Sequence, residues 1–281
     1  MTEHFSTWEC AVQWLRSQPD RQDLILGAYY DDPLIDAARR YWESHEWKEI
    51  RKLLGTTRGQ ALDVGAGRGI ASYALAREGF AVTALEPDGS NLVGAGAIRS
   101  LAEESGLAIT VIQEFSEHLP FGDGQFDLTF ARAVLHHTKD LAAASSEFFR
   151  VLKPGGRLIA VREHVISRQK DLPVFLSRHP LHHLYGGEHG FLLSEYTGAL
   201  SQAGFEIESV FSPLSSAINY APYTEETLQD AVADRMSGTI AIRSAVRRAL
   251  RLPGFWSVVR EVLSWVDRRP GRLYSFVCTR P

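Results

Sequence analysis

The sequence predicts an α/β fold, a mostly parallel sheet of seven strands with helices on both faces, preceded by N-terminal helices and carrying two late insertions. Three observations predict it. From Gln60 onward, short β-rich apolar runs alternate with helix-like stretches, the pattern of parallel strands joined by crossover helices. A glycine-rich loop, Gly65-Ala66-Gly67-Arg68-Gly69, joins the first run to the first of those helices. The chain has 281 residues, 44% hydrophobic and 23% charged, enough to bury a substantial core under such a sheet.

The elements follow in order. Residues Phe5 to Gly55 read as two helices. The first runs from about Thr7 to Arg16; the second opens at Asp32-Pro33, an N-cap followed by proline in the first helical position. Leu34, Ile35, Ala38, Tyr41, Trp42 and Ile50 give this second helix one apolar face, as a core-packing helix requires. QALDV (60–64), AVTAL (81–85), LAITVI (107–112), FDLTFA (126–131) and RLIAV (157–161) read as strands. Helices over Ile70 to Arg77, Ser90 to Glu104 and Leu141 to Leu152 separate them. After a helix over Ser194 to Ala203, FEIESVF (205–211) supplies a sixth strand and RLYSFVCT (272–279) a last one.

Two stretches fall outside the alternation: 166–193, rich in His, Pro and Gly, and 212–271, helical by pattern. Both are too long for connecting loops, and long insertions beside strand ends commonly form lids or binding surfaces. The expected organisation is an N-terminal helical cap (1–58), an α/β core (59–211 and 272–281) that includes the lid-like insertion 166–193, and a helical basic insertion (212–271).

Charge is unevenly distributed. The net charge is −4, yet from Arg235 to the end ten arginines face two acids, Glu261 and Asp267. A basic segment is attached to an acidic body. No apolar run is long enough to span a bilayer. The opening MTEHFSTWEC lacks the basic patch and apolar stretch of a secretory signal, so a cytoplasmic location is the default expectation. Cys10 and Cys278 alone make neither a disulfide framework nor a thiolate metal site.

The glycine loop carries the chemistry. Glycines here permit positive φ and let the backbone approach a ligand closely. One strand–helix–strand unit later Glu86 ends the next strand, where a carboxylate can take both hydroxyls of a ribose. A dinucleotide site wants G-x-G-x-x-G with a pyrophosphate against the helix N-terminus. Here the spacing is G-x-G-x-G and Asp63 precedes it. A carboxylate there repels a pyrophosphate and suits a phosphate-free cofactor bearing an ammonium and a sulfonium. That disfavours NAD and favours S-adenosylmethionine.

LDVGAGRG (62–69), ALEP (84–87), LPFGDGQFDLTFARAVLHH (119–137) and EFFRVLKPGGRLIAV (147–161) together resemble the class I S-adenosylmethionine-dependent methyltransferases of the small-molecule type. The resemblance covers about Gln60 to Phe211 and the final strand. It implies a Rossmann-like seven-stranded sheet whose last strand is inserted antiparallel. It also implies that Asp63, Gly65, Ala66 and Gly67 line the methionine end of the cofactor, that Glu86 and Pro87 meet the ribose, and that Ala131 and Arg132 lie beneath the cofactor. Family members usually carry Asp, a small residue and Glu ahead of Leu-Pro-Phe. Here the run is Glu114-Phe115-Ser116-Glu117-His118, so Phe115 stands where the adenine-binding Asp is usual. Phe115 is then a stacking surface, Ser116 lines the same edge, and Glu114 or Glu117 takes the amino group.

Methyl transfer is an in-line displacement at an activated carbon, so the enzyme must align the reactants and exclude water. An alcohol acceptor also needs a base. His136 and His137 follow the fourth strand; Glu163 and His164 follow the fifth. In similar sugar O-methyltransferases a His-His pair and an acid after the next strand form the base assembly. This assigns His136, His137 and Glu163 the catalytic role, with Glu163 orienting an imidazole. Capping of the following helix is the plain structural alternative.

In HPLHHLYGGEHGF (179–191), His179, His182, His183, Glu188 and His189 are metal-competent types. Adjacent His182 and His183 diverge on any regular element, so this stretch is read as a substrate-gripping lid bent at Gly186-Gly187, with no metal site expected. Tyr185 and Tyr196 are acceptor contacts or packing. Arg243, Arg247 and Arg251 recur every four residues. They read as a solvated face or as a surface for an anionic substrate, acidic partner or membrane. No nucleic-acid-binding motif accompanies them. The function expected is O-methylation of a polar small molecule, with a sugar or a glycosylated or lipid-linked metabolite as the resemblance implies. The alternatives are N- or C-methylation, or a cofactor-binding adaptor subunit.

Overall fold

The computed structural model describes residues 5–236 and 240–281. Residues 1–4 of the expected cap and 237–239 of the expected helical insertion lie outside the described residues.

The N-terminal region folds as four α-helices rather than two: α1 (Trp8–Arg16), α2 (Gln22–Ala28), α3 (Leu34–Glu43) and α4 (His45–Leu54). One of the two extra helices has a local cause. Ser44 is extended, and its hydroxyl accepts from the Trp47 amide at 3.0 Å, so it ends one helix and caps the next. Asp32 does not cap α3. Its carboxylate is held by Arg16 at 2.6 Å and Arg68 at 2.5 Å, leaving extended Pro33 at the helix entrance.

The core then alternates as its pattern predicts: β1 (Gln60–Val64), α5 (Ile70–Arg77), β2 (Ala81–Leu85), α6 (Ala95–Ser105), β3 (Ile109–Ile112), β4 (Phe126–Arg132), α7 (Leu141–Val151) and β5 (Leu152–Ile166). The helix expected from Ser90 starts later because the Ser90 hydroxyl accepts from the Leu92 and Val93 amides, closing a turn first. After β5 come α8 (Leu172–Arg178), β6 (Phe191–Leu192), α9 (Leu193–Gln202), β7 (Glu206–Phe211), α10 (Ala217–Tyr220), α11 (Glu225–Met236), α12 (Ile240–Leu250), α13 (Phe255–Val266) and β8 (Arg272–Thr279).

The sheet runs β3-β2-β1-β4-β5-β8-β7, with β6 a short addition beside the end of β5. β8 is antiparallel to both its neighbours; the β1, β2, β3, β4 and β5 pairings are parallel. Val, Leu, Ile and Phe on the central strands, among them Leu62, Phe126, Phe130, Leu158 and Ile159, are buried, as expected of strands covered on both faces. The expected seven strands and the inserted antiparallel last strand are therefore observed.

Two features of this frame shape the site. β5 extends past the predicted RLIAV run, and its pairing with β8 shifts register between Ala160 and Glu163. Arg162 there has φ 63°; such an irregularity re-aims the side chains that follow it. The second feature is the cover over the strand ends. The Phe5 amide donates to the Leu184 carbonyl at 2.7 Å. Leu184 of the 166–193 insertion packs in one cluster with Ala11, Leu15 and Ile25.

The 212–271 stretch forms α10 to α13 around its own cluster, which includes Tyr220, Leu228, Leu250 and Trp256. Here the arginine stripe takes a different role from a free anion-binding surface. Arg243 reaches Asp234 at 3.2 Å, Arg247 reaches Asp230 and Asp234 at 3.2 Å, and Arg251 reaches Glu226 at 3.0 Å. The stripe pins α12 to the acidic face of α11. Among the described residues, no helix is long and apolar enough to cross a membrane.

Candidate active site

The turn after β1 is shaped by its glycines. Gly65, Gly67 and Gly69 have φ of 59°, 55° and 84°, values that L side chains rarely adopt. A Cβ on Gly65 would also meet Val134 at 2.8 Å, so the loop lies directly against the segment that follows β4. Around Gly67 a Cβ would meet nothing within 4 Å. Glu86 braces this loop: one carboxylate oxygen accepts from the Gly67 amide at 2.7 Å, the other from Asp88 at 2.9 Å. Asp63 is 1% exposed and accepts from the Ser72 hydroxyl at 2.5 Å. Burial pushes the Asp63 carboxyl up to about 7, against the Ser72 bond and with a further push from Glu86. Burial likewise raises Glu86 to about 7.

Ala66 and Ala131 are buried, whereas Pro87 is exposed. Beyond β3, Phe115 is 57% exposed, and its amide donates to the Glu114 carboxylate. Ser116 donates to Glu117 at 3.1 Å. The Arg132 guanidinium turns to α4, forming bonds of 2.7 and 3.1 Å with Glu46. Glu46 is almost wholly buried and also faces Arg162 at 3.6 Å. Arg68 donates to the Tyr29 and Asp31 carbonyls at 2.9 Å. Thus the glycine loop and the ends of β4 and β5 are each tied to the N-terminal region by a partly buried arginine contact. Sequence reading missed these ties, because nothing local marks Glu46 as the partner of Arg132 and Arg162, or the Tyr29 and Asp31 carbonyls as partners of Arg68.

At the ends of β4 and β5 the predicted catalytic residues come together. Glu163 is fully buried; it accepts from the backbone amides of Val134 and His136 at 3.0 and 3.1 Å and bonds His136 Nδ1 at 2.7 Å. It therefore caps the turn Leu135–His137 and fixes the His136 ring at once. His136 Nε2 lies 3.5 Å from Glu188. Burial alone would lower His136, but Glu163 and Glu188 raise it to about 9. His137 is different: its side chain is 43% exposed, and Nδ1 meets the Gly187 carbonyl at 2.9 Å. Burial and the neighbouring His136 lower its pKa.

The insertion supplies Glu188, and Gly186 and Gly187 have φ of 92° and 79°, the expected bend. His179 Nδ1 lies 3.7 Å from Glu188. His183 faces away, to the Ser177 carbonyl at 2.8 Å. His189 packs on Phe191 instead. Tyr196 is buried, and its hydroxyl donates to the His164 carbonyl at 3.0 Å, so it is a packing residue that steadies β5. His164 stacks edge-on to His136 with ring centroids 4.6 Å apart. It was visible in the sequence after the fifth strand, but only the register shift in β5 turns it toward the cluster.

Comparison with known proteins fits this frame. Residues 62–160 match the family model described as a methyltransferase domain. The chain carries a class I S-adenosylmethionine-dependent methyltransferase domain. Its cofactor is S-adenosylmethionine. The methyltransferase is 29% identical to the ubiquinone biosynthesis O-methyltransferase of Paramagnetospirillum magneticum, over 63% of this chain and 73% of that protein. It is 49% identical over 53 residues to the uncharacterized protein YafE of Escherichia coli, 19% of this chain and 26% of that one. The methyltransferase thus spans about a quarter of one relative's length and nearly three quarters of the other's. Its fold is similar to the geranyl diphosphate C-methyltransferase of Streptomyces coelicolor A3(2), with a TM-score of 0.59 at 15% identity, covering 90% of this chain and 87% of that one.

Proposed function

We propose that this methyltransferase methylates a hydroxyl oxygen of a polar small molecule, with sugars and glycosylated or lipid-linked metabolites as the acceptor class. One observation carries the reading. The His136, His137, Glu163 and Glu188 side chains converge at the ends of β4 and β5, against the glycine loop that Val134 touches. Imidazoles and carboxylates suit an acceptor rich in hydroxyls, whose oxygen gives up its proton as it is methylated. The O-methyltransferase named among the relatives supports the same choice.

On the cofactor side, the residues present fit the group. The buried Asp63 carboxylate answers an ammonium, and Gly65, Ala66 and Gly67 admit the methionine end over a loop with open space at Gly67. Glu86, with Pro87, receives the ribose hydroxyls on its remaining lone pairs. Phe115 stacks on the adenine, beside Glu114 and Ser116. Ala131 forms the floor, and Arg132 acts through its ion pair with Glu46 rather than by direct contact. When bound, S-adenosylmethionine supplies a methyl group on a positively charged sulfur.

The chain's own contribution is alignment and proton removal. His137 donates its Nδ1 proton to the Gly187 carbonyl, so its Nε2 lone pair is free to take the acceptor's hydroxyl proton. His136 is enclosed between two carboxylates and is a positioning residue, with Glu163 fixing both its ring and its backbone. The acceptor oxygen loses a proton, gains the methyl group, and leaves as the ether. The test is incubation of the protein and cofactor with a panel of hydroxylated acceptors. S-adenosylhomocysteine release and a product heavier by one methylene, with an O-methyl signal by NMR, are expected. A product methylated on carbon or nitrogen would overturn the assignment.

A further inference from the structure

The convergence of His136, His164 and Glu188 points to a second property. We propose that these three side chains bind a first-row divalent cation of the zinc type, leaving one coordination position open toward the acceptor. Their ligand atoms all lie within 4.8 Å of one another, the one such group among the described residues.

The donor atoms are prepared for it. His164 Nδ1 lies 2.9 Å from the Gly271 carbonyl, which can only accept, so Nδ1 carries the proton and Nε2 presents a lone pair. His136 Nδ1 is bonded to the buried Glu163 carboxylate at 2.7 Å, which likewise leaves Nε2 to face Glu188. A ligating histidine is typically fixed in this way, by a carboxylate or a carbonyl on its far nitrogen. Glu188 Oε2 is buried without a hydrogen-bond partner, as is His179 Nδ1 beside the same carboxylate. The His136 ring 3.5 Å away offers this oxygen charge without a hydrogen bond, and a cation between them would give it a direct partner.

One ligand pair already stands at the spacing required. Tetrahedral coordination with bonds of ~2.0–2.1 Å places ligands ~3.3 Å apart, and His136 Nε2 stands 3.5 Å from Glu188 Oε2. Two imidazoles and one carboxylate suit zinc better than magnesium, which prefers oxygen donors. His137, with Nε2 at 3.9 Å from Glu188 Oε2, borders the open position. A hydroxyl bound there would be acidified by the ion and would pass its proton to His137. That role rests on the O-methyl reading; binding itself does not.

The experiment is equilibrium dialysis of the metal-stripped full chain against Zn²⁺ alone, without acceptor, with Co²⁺ absorption to report the coordination geometry. One equivalent bound is expected, with a visible Co²⁺ band of tetrahedral intensity. Glu188→Gln and His164→Gln should each weaken Zn²⁺ by more than about a hundredfold, and Glu163→Gln by roughly 10–100-fold. The paired control His182→Asn, His183→Asn should bind normally. Circular dichroism identifies variants that remain folded, and His164→Gln serves if Glu188→Gln does not fold. Less than one equivalent in the wild type, or folded variants binding as tightly as it does, overturns the site. O-methyl transfer measured separately stays intact under that outcome, so the two readings fail independently.

Discussion

Between β1 and β2 the proposed cofactor side is built from nearly contiguous chain. Asp63, the glycines and Glu86 lie within one strand–helix–strand unit, and the loop is held by backbone amides donating to Glu86. At the ends of β4 and β5 the proposed acceptor side is assembled differently. Glu163 reaches back to His136 across 27 residues, and His137 meets Gly187 across 50. The first region depends on backbone conformation and the second on side chains gathered from two strand ends and an insertion. Substitutions should therefore separate them, removing turnover at one and cofactor affinity at the other.

The largest effect belongs to the acceptor side. His137→Ala should lower kcat by roughly 10²–10⁴-fold, the contribution of a positioned base, while the S-adenosylmethionine Kd from calorimetry stays near the wild-type value. The ring is substantially exposed, so its loss should leave the fold unchanged. Near-normal kcat in this variant would mean that alignment alone drives the transfer. A parallel loss of cofactor affinity would break the division between the two regions.

On the cofactor side, Glu86→Ala should weaken S-adenosylmethionine binding by about 1–3 kcal/mol, the range for hydrogen-bonding partners left bare. Its carboxylate holds the loop and, in the proposed site, the ligand as well, so part of the loss is the Gly67 amide released from its 2.7 Å bond. Calorimetry on Glu86→Gln sharpens the comparison, since the amide keeps an acceptor oxygen and should recover part of the affinity. An unchanged Kd in Glu86→Ala would remove Glu86 from the cofactor site.

This contrast also sets what could be read from the sequence. The parallel strands and the glycine turn were legible because each is written locally, as an apolar run or a residue needing positive φ, whereas the antiparallel setting of the last strand came from the family resemblance. His136, His137 and Glu163 were legible through their places at strand ends. Glu188 stood out only as one of several polar residues in an insertion, since its partners lie on two other elements. Ser44 carried a readable helix-capping signal, a hydroxyl three residues before the Trp47 amide it accepts from. The partners of Glu46, Arg132 and Arg162, lie far along the chain, and no local pattern announces such a pair. The arginine stripe was legible as an exposed face by its spacing, but its pairing was not, because the acids that receive it sit on another helix.

A smaller effect concerns pH. Asp63 and Glu86 are both raised to about 7 by burial. Acids with folded pKa values above their unfolded ones hold protons more tightly when folded, so stability falls as pH rises from about 4 toward 7. Cofactor binding favours the ionised Asp63, so affinity should rise with pH over the upper part of that window, with proton release. The stabilisation of Tm by S-adenosylmethionine should therefore be larger at pH 8 than at pH 6. Asp63→Asn should bind more weakly and flatten this dependence. Equal stabilisation at both pH values would mean that neither carboxylate changes its protonation on binding.

The smallest effect is expected far from both regions, where α12 meets α11. Arg243, Arg247 and Arg251 are 41%, 39% and 52% exposed at the side chain, so water screens their pairs with Asp230, Asp234 and Glu226. Exposed pairs contribute ~0.2–1 kcal/mol each, and the three arginines make five of them, so replacing all three with alanine should cost less than about 5 kcal/mol in total. Salt screens such pairs, so the Tm difference from wild type should shrink as ionic strength rises. Turnover and cofactor affinity should not change, because no member of the stripe touches the strand ends. A variant with unchanged Tm but a raised KM would reverse this assignment. The stripe would then act on an anionic acceptor, and the pairing with α11 would be a resting contact that the acceptor displaces.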